Sequence, residues 1–299
     1  MSKSVKDLMK EKSSRQKSLQ FTEKAMPLFF LACAIISILT TFGIVFTLAK
    51  ETVTFFDEVP IREFLTGKEW YPFFKNDPSF GILPLLSGTF LIAGVAMLVA
   101  VPIGLSSAIY LSEYATERTR KIVKPILEVL AGVPTVVYGL FALTFVTPLL
   151  QTVIPNLPIF NALSPGIVVG IMIIPQITSL SEEAMGAVPN AMRLEVALKV
   201  ILPGSLSGII SSVVLGISRA VGETMIVSTA AGSTPKFTLD VTESIQTMTS
   251  YIVQVSMGDA TYGSTIYYSI YAVGMTLFLF TLLMNLLANY MSRRFREEY

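Results

Sequence analysis

Ile217-Ser-Arg-Ala-Val-Gly-Glu-Thr-Met-Ile-Val-Ser-Thr-Ala-Ala-Gly232 is membrane-grade in hydrophobicity yet carries two opposite charges, Arg219 and Glu223. On a continuous helix, residues four apart lie one above the other, so the spacing predicts an Arg219–Glu223 pair on one face. At about 100° per residue, Ser205, Gly208, Ser212, Gly216, Arg219, Gly222, Glu223 and Ala230 share that face. Ile210, Val213, Val214, Ile217, Val221 and Ser228 fall on the other. A charge at bilayer depth costs roughly 2.5 kcal/mol or more, so such residues turn toward a bundle interior and mark a pathway. A small-residue stripe carrying charge suits a helix that packs closely and borders a polar cavity. The alternative is a structural ion pair that only holds helix register.

Composition sets the class. With 52% hydrophobic and 14% charged residues and a mean hydropathy of +0.65, the chain reads as an all-α polytopic membrane protein. It has no histidine, and its one cysteine, Cys33, lies in an apolar run, so neither an internal disulfide nor a metal site is expected. A net charge of +1 gives no reason to expect a nucleic-acid partner. The only Gly-Lys, Gly67-Lys68, is followed by Glu69, so no phosphate-binding loop is present. The chain therefore reads as a non-enzyme without cofactor; any ATP-Mg it depends on belongs to another polypeptide.

Six apolar runs are long enough to span a bilayer: Met26–Ala49, then about Leu83–Leu111, Pro125–Leu150, Ser164–Leu180, Gly204–Gly232 and Ser264–Met291. The first is too long for a signal-peptide core and reads as a retained span. The expected organisation is a basic tail at 1–25, a transmembrane domain at 26–291 and a short tail at 292–299. In the tail, Val5, Leu8 and Met9 hint at an interfacial helix, but a solvated segment is the expectation. Pro102, Pro134 and Pro175 lie inside spans and are expected to kink them. Ser164-Pro165 looks like an N-cap followed by a first-turn proline. Lys and Arg concentrate in the two tails and in inner loops 112–124 and 181–203. Outer loops 50–82, 151–163 and 233–263 hold only Lys50, Arg62, Lys68, Lys75 and Lys236, which places both termini in the cytoplasm.

The outer loops carry their own signals. Trp70, Tyr71, Phe73 and Phe74 flank Pro72 and suit the headgroup level. Ile245, Met248, Ile252 and Val255 recur at helical spacing and predict an amphipathic helix ending near Gly258. It reads either as a helix lying on the outer surface or as an ordinary connecting helix.

Several stretches together resemble one family. Leu83-Pro-Leu-Leu-Ser-Gly-Thr89, Tyr110-Leu-Ser-Glu-Tyr114, Leu130-Ala-Gly-Val-Pro-Thr-Val-Val-Tyr-Gly139, Arg219-Ala-Val-Gly-Glu-Thr-Met225 and Gln246-Thr-Met-Thr-Ser-Tyr-Ile-Val-Gln254 are similar to PstC-type permeases, membrane subunits of the bacterial phosphate ABC importer. The resemblance covers roughly residues 26–290, with the stretches in order. It implies a type I ABC importer permease fold with six helices in a multi-pass inner-membrane chain. It also implies a second permease of similar fold, two cytoplasmic ATPase subunits carrying ATP-Mg, and a periplasmic or lipid-anchored phosphate-binding protein.

Residue chemistry is compatible with an anion path. The Arg219 guanidinium is a planar fork of donors that matches two oxygens of a tetrahedral oxyanion and stays charged at working pH. Glu223 is expected to neutralise it when the path is empty. Thr224, Ser228 and Thr229 are not assigned to substrate. Arg219 would equally serve sulfate, molybdate or phosphonate, so a permease of another oxyanion importer is the neighbouring reading.

The resemblance also assigns an ATPase coupling element to the inner loop, here carried by Glu182, Glu183, Arg193, Leu194 and Glu195. Arg193 runs straight into Leu194 where it implies about ten further residues, roughly 15 Å of helix. That shortening favours a third reading, a non-transporting sensing or scaffold subunit. Inserting an amphipathic helical segment of about ten residues, nearly three turns, between Arg193 and Leu194 is expected to strengthen ATPase copurification. It should also raise stimulation of ATP hydrolysis by phosphate-loaded binding protein. Normal coupling without the insertion would remove this loop from the transmission path.

Overall fold

The computed structural model describes residues 5–74, 77–186, 202–258 and 260–294, and the chain divides into two units, 1–51 and 52–299. Helix α1, Val5–Glu58, makes up the first unit and continues into the second. Its backbone is already helical at Val5, where the sequence suggests a solvated tail. From Leu28 to Phe46 its large apolar side chains are exposed, a surface suited to hydrocarbon rather than water.

The second unit follows as α2 (Ile61–Thr66), a hairpin of β1 (Trp70–Tyr71) and β2 (Ser79–Phe80), and α3 (Leu83–Ile109), prolonged by a π-helical turn at Tyr110–Tyr114. Next come α4 (Glu117–Gly132), α5 (Thr135–Phe141), a π-helical turn at Ala142–Val146, α6 (Thr147–Gln151) and α7 (Leu163–Gly186). The remaining elements are α8 (Leu202–Gly222), α9 (Met225–Ala230), α10 (Met248–Met257) and α11 (Thr265–Arg294). Among the described residues five helices are long and apolar enough to cross a membrane, in α1, α3, α7, α8 and α11. The pair α4 and α5–α6 makes a sixth if it counts as one span.

That pair departs from a simple span. It bends by 89° at Val133-Pro134, and Pro134 stands as the N-cap of α5. Proline cannot donate a backbone hydrogen bond and disfavours a helical residue before it, so the ladder stops here. The Tyr138 hydroxyl bridges the break by donating to the Leu130 carbonyl at 2.8 Å. Pro102 and Pro175, in contrast, lie inside the continuous helices α3 and α7. The cap of α7 also differs from the Ser164 reading: Asn161 Oδ1 accepts from the Ser164 amide at 2.8 Å and from its hydroxyl at 3.0 Å.

Helices α3, α7 and α8 form the inner core, with Ile92, Ala96, Ala100, Val169, Ile173 and Ile177 buried between them. Apolar side chains gain little by leaving lipid for one another, so close backbone approach has to hold the helices together. A Cβ on Gly170 would meet the Ala96 carbonyl at 2.7 Å and Val99 Cβ at 2.8 Å. On α8 the predicted small-residue stripe does face α7: Ser212 and Ser181 hydroxyls share a 2.9 Å hydrogen bond, and Gly208 lies against Ala184. Gly170→Leu is therefore expected to cost about 1–3 kcal/mol as overpacking against backbone and a β-branched chain. Gly94→Ala in the same pair, where a Cβ meets nothing within 4 Å, should leave stability unchanged or slightly raised. Thermal unfolding of both variants in lipid checks the contrast.

A second core lies at the outer end. Phe55, Phe64, Trp70, Phe80 and Tyr251 are buried together, with Trp70 edge-on to Tyr251 at 4.9 Å. Helix α10 is the predicted amphipathic helix: Met248 and Val255 are buried in this core, Ile245 joins the inner one, and Gly258 ends it. It packs on protein rather than lying free, because the Met248 amide donates to Thr89 Oγ1 of α3 at 3.1 Å. Trp70 is likewise interior, and only Tyr71, Phe73 and Phe74 keep the exposure that the headgroup reading requires.

Candidate functional site

The charged stretch does not form one helix. α8 ends at Gly222, with Arg219 in its last turn, and α9 begins at Met225. Glycine is a weak helix former, and Glu223 turns its side chain forward rather than back. Its Oε1 accepts from the amides of Met225 at 3.1 Å and Ile226 at 3.2 Å, satisfying donors that the start of α9 would leave unpaired. The Glu223 carbonyl accepts from Thr249 Oγ1 at 2.8 Å, tying the break to α10. Glu223 is 8% exposed, with Oε1 committed to these two backbone amides.

The predicted Arg219–Glu223 pair is therefore absent. Ion pairs between described residues join Lys50 to Glu51, Lys124 to Glu182 and Lys236 to Glu243. Arg219 is exposed and donates through Nη1 to Gln176 Oε1 of α7 at 3.2 Å. A neutral amide satisfies part of the fork without cancelling its charge. The structure thus brings together Arg219 and Gln176 from two elements, only one of which the sequence reading singled out. Gln176 had a legible signal, an amide directly after Pro175 in an apolar span, where polar side chains are rare.

At the inner end, Lys124 of α4 pairs with Glu182 of α7 at 3.1 Å. Both line a polar recess of about 400 Å³ together with Glu128 and Glu183. Arg193, Leu194 and Glu195 lie outside the described residues. At the outer end, hydrogen bonds from Thr242 hold the Asp240 carboxyl below its usual range, and that from Lys236 does the same for Glu243. A depressed folded pKa contributes stability above the unfolded value that is lost as pH falls through the folded one. Acid should accordingly loosen this loop only below the ordinary carboxylate range. Lys236→Met should move the Glu243 midpoint upward in a carboxylate NMR titration.

Three comparisons bear on this arrangement. Residues 100–297 match the family described as binding-protein-dependent transport system inner membrane component. The probable ABC transporter permease protein YqgH of Bacillus subtilis is 32% identical over 294 residues, 94% of each chain. The phosphate transport system permease protein PstC of Mesorhizobium japonicum is 30% identical over 263 residues, 77% of this chain and 78% of that one. The inward-facing MetNI methionine ABC transporter shares the fold at a TM-score of 0.51 and 15% identity, over 73% of this chain and 95% of that one. The class is thus a multi-pass subunit with a type I ABC importer permease fold. The chain belongs to the binding-protein-dependent transport system inner membrane component family, as a PstC-type ABC permease of the bacterial cytoplasmic membrane.

Glu223 should now behave as a cap. Glu223→Ala removes the acceptor and is expected to cost about 0.5–2 kcal/mol. Glu223→Gln keeps an acceptor oxygen and should retain most of that stability. If thermal unfolding shows the two variants equally destabilised, negative charge rather than capping is what Glu223 supplies.

Proposed function

We propose that the chain passes inorganic phosphate inward by alternating access, as one of two permeases of similar fold. On this reading two cytoplasmic ATPase subunits bind ATP-Mg and drive the cycle, and an extracytoplasmic binding protein delivers phosphate. The observation that carries it is Arg219, an exposed guanidinium at the end of a membrane-spanning helix with an amide rather than a carboxylate as its partner. Similarity to PstC proteins, which are phosphate transport system permeases, favours phosphate among the tetrahedral oxyanions.

The chemistry follows from that partner. An arriving oxyanion exchanges the Gln176 carbonyl oxygen for two charged oxygens in the fork, a stronger and more directional contact. Gln176, freed, can turn its NH₂ group to a third oxygen. Release needs only the reverse exchange, so binding is never opposed by a competing carboxylate. Glu223 acts indirectly, by capping the helix that follows and fixing where Arg219 ends its own.

A second reading keeps the path and changes the cargo to sulfate, molybdate or phosphonate. The contracted join at Arg193-Leu194 supports a third, a sensing or scaffold subunit that does not transport. ATP-dependent uptake into vesicles holding the whole complex separates them. Phosphate uptake is expected to stop in Arg219→Ala, with membrane insertion and assembly intact. It should fall strongly in Arg219→Lys, because a point charge on a flexible stem does not reproduce the fork. Uptake equal to the parent in Arg219→Ala would remove this residue from the path. Preference for another oxyanion, or none transported at all, would select the second or third reading.

A further inference from the structure

No residue of α4 is buried, although the helix is amphipathic. Ile122, Ile126 and Val129 recur on one side and are 62%, 54% and 70% exposed. The charged side is engaged by the bundle. Lys124 pairs with Glu182 of α7, Glu128 lines the inner recess beside it, and the Arg120 fork donates to the Leu111 and Ser112 carbonyls in the turn that prolongs α3. Arg118 and Lys121 fall between the two sides, both exposed and without an ion pair to another described residue. The depth of α4 follows from its neighbours. α5 and the π-helical turn after it pack along α7, and Thr147 Oγ1 donates to Ser164 Oγ at 2.8 Å near the outer end. Inward from that bond, Ser164 to Glu182 is about 27 Å of helix, but Thr147 back to Pro134 is only about 20 Å. The 89° bend then sends α4 sideways about 7 Å short of Glu182, and the Lys124 side chain closes the gap.

That level has a specific chemistry. An amphipathic helix in the plane of a membrane surface buries its apolar side about 5–10 Å into the headgroup boundary, while flanking cations reach the phosphates. The excess of lysine and arginine marks this end of the bundle as cytoplasmic, and the cytoplasmic leaflet carries anionic lipid. The exposed stripe is aliphatic throughout and lacks the aromatic anchors that centre protein interfaces. We propose that α4 is an interfacial helix rather than half of a transmembrane span, and that Ile122, Ile126 and Val129, with Arg118 and Lys121, bind anionic phospholipid of the cytoplasmic leaflet. Glu117, one turn before Lys121, offsets part of that charge, which leaves Arg118 as the stronger contact. The surface involves neither Arg219 nor the identity of the transported ion, so it stands independently of the phosphate reading.

Cys33 is the only cysteine, so a Cys33→Ser background lets one fluorophore report from α4. The full chain, carrying nitrobenzoxadiazole at Ile126→Cys, would be reconstituted in phosphatidylcholine vesicles, alone and assembled with its partner subunits. Phosphatidylglycerol or phosphatidylcholine bearing a nitroxide near the headgroup end of its acyl chain is then added as quencher. Both lipids are expected to quench, with phosphatidylglycerol effective at a mole fraction about fivefold lower, the effect of roughly one surface cation. Combining Arg118→Gln with Lys121→Gln should bring that ratio close to one, while quenching by phosphatidylcholine and the melting temperature stay as in the parent. Quenching by neither lipid, equal quenching by both, or a preference that survives the double substitution overturns the proposal. Stronger quenching from the bilayer centre than from the headgroup end also overturns it and makes α4 part of a span. Quenching that is lost when the partner subunits assemble overturns it too and assigns the stripe to a protein interface.

Discussion

Everything in the membrane-spanning part depends on how closely α7 can approach α3 and α8. In lipid there is no water to expel between helices, so contact distance and polar pairing replace hydrophobic burial as the source of cohesion. Gly166 against Val95, Gly170 against the Ala96 carbonyl and Gly104 against Ile177 let the two backbones nearly touch. The Thr178 hydroxyl then donates across the same seam to the Gly104 carbonyl at 3.2 Å. Positioned in this way, α7 presents Gln176 to Arg219, so the candidate site follows from the seam.

The second constraint is that a backbone polar group at membrane depth has to find a partner. Two breaks in the bundle show how the chain meets it. At Pro134 the chain turns by 89° and a tyrosine hydroxyl takes up a carbonyl. At Glu223 a carboxylate takes up two amides. Each break ends in a short helix, and α5 and α9 then pack together, with Gly139 against Thr229. The side chains that repair the ladder are therefore committed to structure. That is why Arg219 has an amide rather than a carboxylate as its partner: the Glu223 side chain already accepts from two backbone amides.

The outer end follows another rule. Residues there can meet water, so a core of Phe55, Phe64, Trp70, Phe80 and Tyr251 can be held by burial and edge-to-face aromatic contacts as in a soluble domain. A hydrogen bond of 2.6 Å between Tyr251 and Ser269 joins α10 to α11, and the Ser87 hydroxyl, donating at 3.4 Å to the Lys236 carbonyl, joins loop and α3. The part of the chain facing outward is thus an aromatic scaffold tied by hydrogen bonds to α3 and α11.

By itself, the sequence determined the membrane class, the positions of the apolar spans, the small-residue face of α8 and the amphipathic α10. Each of these rests on local periodicity, which survives in any tertiary setting. Arg219 was legible for a related reason: no local arrangement makes a charge in an apolar run inexpensive. What tertiary structure alone decided was the fate of that charge. An i, i+4 spacing pairs two side chains only if the helix continues between them, and here Glu223 gains more from the free amides of α9 than from a guanidinium four residues back. The Gln176 partner, 43 positions away, and the interior place of Trp70 arise from contacts between distant segments, to which sequence spacing carries no guide.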